Sequence, residues 1–273
     1  MNLEYCFLMS VYRMENPDYL VKSIDSMLFQ TITAKKIVIV EDGELTESLE
    51  KIIMSYETRF PYKFLIIRRK ENKGLGFSLN EGLQYCETEL IARMDSDDIC
   101  FKERCEKQLK RFNEVQELAI LGTQIREFEE EVKNVKKQRM VPLDYPRIVE
   151  FSHRRSPFNH PTVMFKKSII LKYGGYPPVK RKEDLKLFIE VVNDKNYCEN
   201  LPDILLNYRS NSDNYKRRKT WVNCKEYIEI MNNFYKRKII NSFDYVYVVS
   251  GQLIIFLMPT FIGKFITNAF LRK

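Results

Sequence analysis

Residues 89–98 read Glu89-Leu90-Ile91-Ala92-Arg93-Met94-Asp95-Ser96-Asp97-Asp98, a short apolar run that ends in three carboxylates within four positions. The run suits a buried strand, Glu89–Met94, better than a helix, so the acidic groups stand at a strand end. The pattern recurs upstream. Tyr5–Ser10 and Lys63–Ile67 read as strands, and Lys36–Val40 is a strand running into Glu41-Asp42-Gly43. Between them lie the amphipathic stretches Pro17–Gln30, Thr46–Tyr56 and Phe77–Cys86; Lys102–Phe112 and a strand at Leu118–Leu121 follow. In the first helix Pro17 suits the opening turn, and Leu20, Ile24, Met27 and Leu28 fall on one face. Strands separated by helices predict an α/β fold, a mostly parallel sheet covered on both faces.

After about residue 123 the alternation breaks down. Glu127–Arg139 is charge-rich and reads as a hairpin or helical arm. Strands at Thr162–Phe165 and Ile204–Tyr208 and helices at Asp184–Asn193 and Thr220–Tyr235 continue the fold, with no repeat and no Gly/Ser linker. The net charge of +8 is unevenly placed: residues 1–150 carry −4 and residues 151–273 carry +12. A basic second half suggests an anionic partner. Nucleic acid is not expected, because no helix-turn-helix, RNP or zinc-finger pattern is present. The six Cys include no C-x-x-C pair, which argues against zinc ribbons and thioredoxin chemistry. With no secretory signal visible at the N-terminus, a reducing cytoplasm is expected. Only His153 and His160 are available for a nucleophilic triad, so chemistry here rests on carboxylates.

In an open parallel sheet, ligands bind outside the carboxyl ends of the strands. Three neighbouring carboxylates repel one another, and a fold that gathers them supplies a cation, Mg²⁺ or Mn²⁺ for such hard oxygen donors. The alternative is that they cap the following helix. Asn72-Lys73-Gly74-Leu75-Gly76 likewise reads as a donor-approaching turn or as an ordinary loop before a helix.

Four segments in order, Ser10-Val11-Tyr12, Val40-Glu41-Asp42-Gly43, Asn72–Gly76 with Asn80 and Gly82, and Asp95-Ser96-Asp97-Asp98, resemble the motifs of family 2 glycosyltransferases with a GT-A fold. The resemblance covers roughly residues 4–210 and extends to enzymes of O-antigen, capsule and exopolysaccharide synthesis. It implies that Ser10, Val11 and Tyr12 line the nucleotide pocket with Asn72, Gly74, Asn80 and Ser96, and that Asp42 accepts from the uracil ring. Asp95 would lie against the ribose and donor, and Asp97 would bind, with Asp95, the Mn²⁺ or Mg²⁺ of a D-x-D motif. Gly174-Gly175-Tyr176-Pro177 followed by Glu183-Asp184 resembles the segment carrying the general base, here Asp184 with Glu183 beside it; both are also an ordinary helix start. Asn159-His160-Pro161 resembles an acceptor-side segment, although His160 is equally a packing histidine. Tyr208-Arg209-Ser210-Asn211 departs from the family's Tyr-Arg-x-His. Asn211 therefore puts a third metal ligand in doubt, while Arg209 is expected to pair with the diphosphate in bidentate fashion. The Gln-x-x-Arg-Trp of processive synthases is absent.

The expected function is an inverting, metal-dependent transfer of a hexose from a UDP-sugar donor to a polyprenyl-diphosphate-linked saccharide acceptor. The competing readings are a sugar nucleotidyltransferase, an Asp-nucleophile phosphatase and a silent membrane-associated binding protein. The expected division is a catalytic domain over 1–215, with its nucleotide half at 1–123 and its acceptor half at 124–215, and a basic, apolar helical extension over 216–273. Tyr245–Gly263 contains no charged residue and is flanked by basic clusters. Pro259 interrupts it, so an interfacial segment on an anionic membrane surface fits better than a span, with burial against the domain as the alternative. A peripheral place on the cytoplasmic face of a bacterial membrane follows.

Overall fold

A computed structural model describes residues 3–130, 132, 134–210 and 219–258. Asn211, the cluster Lys216–Arg218 and the segment from Pro259 onward lie outside the described residues. The first half follows the expected order: β1 (Tyr5–Val11), α1 (Pro17–Leu28), β2 (Lys36–Glu41), α2 (Glu47–Arg59), β3 (Phe64–Arg68), α3 (Leu75–Tyr85) and β4 (Leu90–Asp95). Then come β5 (Ile99–Cys100), α4 (Arg104–Glu114), β6 (Ile120–Phe128), β7 (Val135–Arg139) and α5 (Tyr145–Ser152). A 3-10 turn at His160–Thr162 leads to β8 (Met164–Lys166), α6 (Lys167–Lys172), α7 (Glu183–Asn193) and β9 (Cys198–Arg209). The helices α8 (Trp221–Lys236) and α9 (Ser242–Leu257) close the described chain.

Among the described residues the strands form one sheet in the order β3-β2-β1-β4-β8-β6-β9-β5, with β7 on β6. The neighbours β3-β2-β1-β4 are all parallel, as the strand–helix alternation predicts. Beyond β4 the pairing turns mixed: β8 is antiparallel to both β4 and β6, while β6 and β9 are parallel. The strand that breaks the pattern is β8, which enters from the His160–Thr162 turn in the opposite direction and lies between β4 and β6. The charged stretch after Glu127 is a hairpin, β6 with β7.

Alternation along the strands divides the core. Phe7 and Met9 of β1 face α1, α2 and α4, whereas Cys6 and Leu8 face α3 and α7. Register aligns the strand ends: Ser10 lies beside both Val40 and Asp95. The acidic residues after β2 and β4 therefore emerge side by side at one edge. All six Cys are buried and unbridged.

A third apolar cluster joins α7, through Leu185 and Ile189, to Tyr227, Ile230, Met231 and Phe234 of α8 and Val248 of α9. Helix α9 is 16 residues long and leaves Phe243, Val246, Tyr247, Ile254 and Leu257 exposed. No helix among the described residues is long and apolar enough to cross a membrane.

Candidate active site

Asp42 follows β2 directly, and its N–H donates to the Val11 carbonyl at 2.7 Å. Its carboxylate accepts the backbone N–H groups of Lys73 (2.9 Å) and Gly74 (3.0 Å) and lies 3.3 Å from Arg69 Nη1. Asn72 Nδ2 donates to the Asp42 carbonyl at 3.0 Å. The Asn72–Gly76 turn is thus wrapped on Asp42, and Gly74 supplies the φ of +93° that starts α3. Arg69 braces the same turn: it also donates to Ser78 Oγ at 3.0 Å and stacks 4.4 Å from the Phe77 ring. Val11 is buried, so it offers the edge only its backbone, whereas Ser10 is half-buried and Tyr12 exposed.

At the end of β4, carboxylate oxygens of Asp95, Asp97 and Asp98 lie within 4.8 Å of one another. Arg93, itself buried, pairs with Asp95 at 2.5 Å. Burial, with the charges of Asp95 and Glu15 beside it, pushes the Asp97 carboxyl up to about 7. Burial and the two neighbouring carboxylates raise Asp98 well above the ordinary range. Ser96 Oγ donates to Glu15, which brings the loop after β1 against the cluster. Asp98 Oδ2 is buried with no hydrogen-bond partner among the described residues. An orphaned oxygen amid crowded hard-oxygen donors is what a divalent cation would satisfy, and Asp95 and Asp97, the less buried pair, fit Mg²⁺ or Mn²⁺.

Arg209 corrects one expectation. Its Nε donates to the Asp97 carbonyl at 2.9 Å and its Nη1 to the carbonyls of Glu129 (2.8 Å) and Glu130 (3.3 Å). Its plane lies 3.5 Å from the centroid of Tyr19 and 4.4 Å from that of Phe128. Only Nη2 lacks a partner, and it is buried. With Nε and Nη1 engaged by backbone carbonyls and Nη2 buried, the fork is not presented to the edge for a bidentate grip on a diphosphate; Arg209 instead holds the acidic turn from behind.

The acceptor side is joined to this edge by Asn80. Its Nδ2 donates to the Tyr176 carbonyl at 2.8 Å and its Oδ1 accepts the Tyr176 N–H at 2.7 Å, which ties α3 to the Gly174–Pro177 segment. A Cβ on Gly76 would stand 3.3 Å from Glu183 Cβ, so the donor turn touches the start of α7. Glu183 is nearly buried; burial and then the Asp184 charge push its carboxyl up to about 7. Asp184 is half-buried beside it in the same first turn. His160 is packed inside: its Nε2 lies 3.0 Å from the Tyr176 hydroxyl, and its ring meets Phe188 edge-on. Burial, with Arg93 adding, drives its pKa well below the ordinary value, so it sits neutral in the wall.

The edge therefore gathers Ser10, Asp42, Asn72, Gly74, Asp95, Ser96 and Asp97 on one side and Glu183 and Asp184 on the other. Sequence reasoning missed Arg69, Arg93 and Glu15, and it quoted Tyr176 within the Gly174–Pro177 motif without assigning it a contact. Arg93 alone had a signal, as a cation inside an apolar strand two residues from Asp95.

A parallel nucleotide-type half-sheet, an acidic cluster at the end of β4 and a carboxylate pair opposite define a sugar-transferring enzyme of the GT-A type. Residues 6–174 match glycosyl transferase family 2, and the chain belongs to that family of glycosyltransferases. It is 35% identical to an uncharacterized glycosyltransferase of Haemophilus influenzae, over 99% of this chain and 100% of that one. It is 28% identical to the UDP-Gal:alpha-D-GlcNAc-diphosphoundecaprenol beta-1,3-galactosyltransferase of Escherichia coli, over 99% and 97% of the two chains. Its fold matches S. aureus TarS residues 1–349 in complex with UDP-GlcNAc, with a TM-score of 0.68 at 16% identity, over 98% of this chain and 77% of the other. The family match ends before Glu183, so the proposed base and everything after it lie outside the matched residues.

Proposed function

We propose that this glycosyltransferase is inverting and metal-dependent. It would move a hexose from a UDP-sugar to a saccharide carried on polyprenyl diphosphate, in cell-surface polysaccharide synthesis. The observation that carries the reading is the convergence of Asp95, Asp97 and Asp98 beside the Asp42-wrapped turn, with Glu183 and Asp184 opposite. A cation held by Asp95 and Asp97 would stabilise the charge that develops on the departing diphosphate. Asp42 and its turn, with Ser10 and Tyr12, would seat the nucleoside. Asp184 would take the acceptor hydroxyl proton as that oxygen bonds to the anomeric carbon and the bond to the diphosphate breaks, its electron pair leaving on UDP. Glu183 would flank the acceptor.

The lipid-linked acceptor is supported by the named activity of the Escherichia coli relative and by the cations Lys180, Arg181 and Lys182 immediately before the carboxylate pair. The exposed apolar face of α9 supports peripheral docking on an anionic membrane surface at its cytoplasmic face. The test is a screen of UDP-hexoses with Mn²⁺ or Mg²⁺ and a polyprenyl-diphosphate sugar acceptor. Transfer is expected from a UDP-sugar, with Asp97→Ala losing metal-dependent UDP binding and Asp184→Asn keeping UDP binding without transfer. No transfer from any donor, or full turnover by Asp184→Asn, would refute it.

A further inference from the structure

The helix pair that sequence reasoning set apart as an extension touches the segment that carries the proposed base. The Lys180 N–H donates to Glu226 Oε1 on α8 at 2.8 Å. Two residues on, the Lys182 ammonium lies 5.6 Å from the centroid of the Tyr227 ring, also on α8. The Tyr227 hydroxyl donates to the Arg154 carbonyl at 2.9 Å, and its ring is 8% exposed. The face of α7 behind the carboxylates is covered by the same helix, through the cluster of Leu185 and Ile189 with Tyr227, Ile230 and Met231.

The bend between these contacts is strained. Lys182, the residue before Glu183, has φ +63° and ψ +26°, a left-handed conformation that non-glycine side chains rarely adopt. Such a residue persists only where surrounding contacts over-determine it. Among those contacts are two from α8, on Lys180 at one side of the bend and on Lys182 itself, beside the bond from the Lys186 N–H to the Lys182 carbonyl. The second Glu226 oxygen has no hydrogen-bond partner among the described residues, so the bond from the Lys180 N–H is the one this carboxylate is shown to accept. Burial raises the Tyr227 phenol, with the Arg155 charge opposing and the Asp184 charge adding to the rise.

We propose that α8 is part of the catalytic unit, and that Glu226 and Tyr227 are positioning residues that hold the Lys180–Lys182 bend and thereby aim Asp184. The inference rests on reading Asp184 as the base. It moves the functional boundary from residue 215 to beyond α8, and it joins the membrane-facing helix pair to the acceptor side of the reaction. A displacement of about 1 Å at a reacting group can cost about 100-fold in rate, so contacts from α8 on the bend that leads into Asp184 bear directly on the reaction geometry.

The test uses the full chain with Tyr227→Leu, which keeps an apolar side chain in the cluster but removes ring and hydroxyl, and Glu226→Ala against Glu226→Gln, which keeps an oxygen acceptor. Measured are kcat, donor KM, metal-dependent UDP affinity and the thermal midpoint. Tyr227→Leu and Glu226→Ala should lower kcat by about 10- to 100-fold. Donor KM and UDP affinity should stay at wild-type values, and Glu226→Gln should restore most of the rate. A kcat unchanged in both variants overturns the proposal. So does a loss of UDP binding in step with kcat, which would mark α8 as scaffold only. Asp184→Asn is run beside them. If it is inactive while the α8 variants are normal, this inference alone fails; if it turns over normally, the base reading fails and takes this inference with it.

Discussion

The backbone N–H of Arg209 donates to Oδ1 of Asp98 at 2.7 Å and so joins residues 111 positions apart. With the bond from Arg209 Nε to the Asp97 carbonyl, the end of β9 grips the acidic turn along its backbone and leaves the Asp97 carboxylate to face the edge. Holding three carboxylates together is unfavourable in the absence of a cation. The guanidinium behind them, sandwiched by Tyr19 and Phe128, offsets part of that repulsion.

Arg209→Lys should be damaging although the charge is kept. A lysine cannot reach the Asp97, Glu129 and Glu130 carbonyls together or stack as a plane. Each charge-assisted bond lost to a part-buried carbonyl costs about 1 kcal/mol, so urea unfolding should show a loss of that order or somewhat more. Metal-dependent UDP binding should weaken as well. Asp98→Asn retains an oxygen for the Arg209 N–H and should be milder than Asp98→Ala. Equal losses in the two Asp98 variants would mean that the bond does not hold the turn.

The sequence made the donor half legible because local rules agree there: short apolar runs for buried strands, amphipathic helices between them and acids at strand ends. Asp42 and the Asp95–Asp98 run needed no tertiary knowledge to be singled out. Arg209 was misassigned because its partners, the carbonyls of Asp97, Glu129 and Glu130, are remote backbone atoms that no side-chain pattern reveals. His160 could be read two ways for a similar reason, since only packing against Tyr176 and Phe188 shows it inside the wall. The strand at Thr162–Phe165 was legible, but its antiparallel direction was not, because pairing direction is set by long-range connections that no local pattern carries; β5, two residues long, is too short for any periodic signal.

The paired glycines after α6 separate backbone strain from steric contact. Gly174 and Gly175 both have φ +78°, but a Cβ on Gly174 meets nothing within 4 Å, whereas one on Gly175 would stand 2.3 Å from Asn80 Oδ1. Gly174→Ala should cost only the left-handed penalty, about 1–2 kcal/mol. Gly175→Ala should cost more, because it also breaks the two Asn80–Tyr176 bonds, and it should lower turnover through the loop before Glu183. Denaturant unfolding of the two variants decides it. Equal destabilisation would show that the Asn80 contact contributes nothing.

The apolar face of α9 gives a membrane prediction. Placing Glu at Phe243, Val246 and Leu257, all exposed, should leave UDP binding unchanged and release the protein from vesicles rich in anionic lipid. Added salt should weaken the wild-type association, because screening shortens the reach of the neighbouring cations. Co-sedimentation that persists in the triple variant would rule out α9 as the docking face.

Glu183 makes stability depend on pH in a direction opposite to most carboxylates. Burial, then the Asp184 charge, raises its pKa in the folded chain to about 7 from an ordinary 4.5. Between those values the folded chain keeps a proton that the unfolded chain has released. The favourable contribution is therefore full below the unfolded pKa and is lost as pH rises through the folded one. Glutamine mimics the protonated carboxyl at every pH. Glu183→Gln should match wild type in acid and become the more stable protein above about pH 7, by up to about 3 kcal/mol. Urea unfolding of both proteins across that range, without metal, reads the difference directly. A variant less stable than wild type at alkaline pH would mean that Arg93 stabilises the Glu183 carboxylate more than burial penalises it.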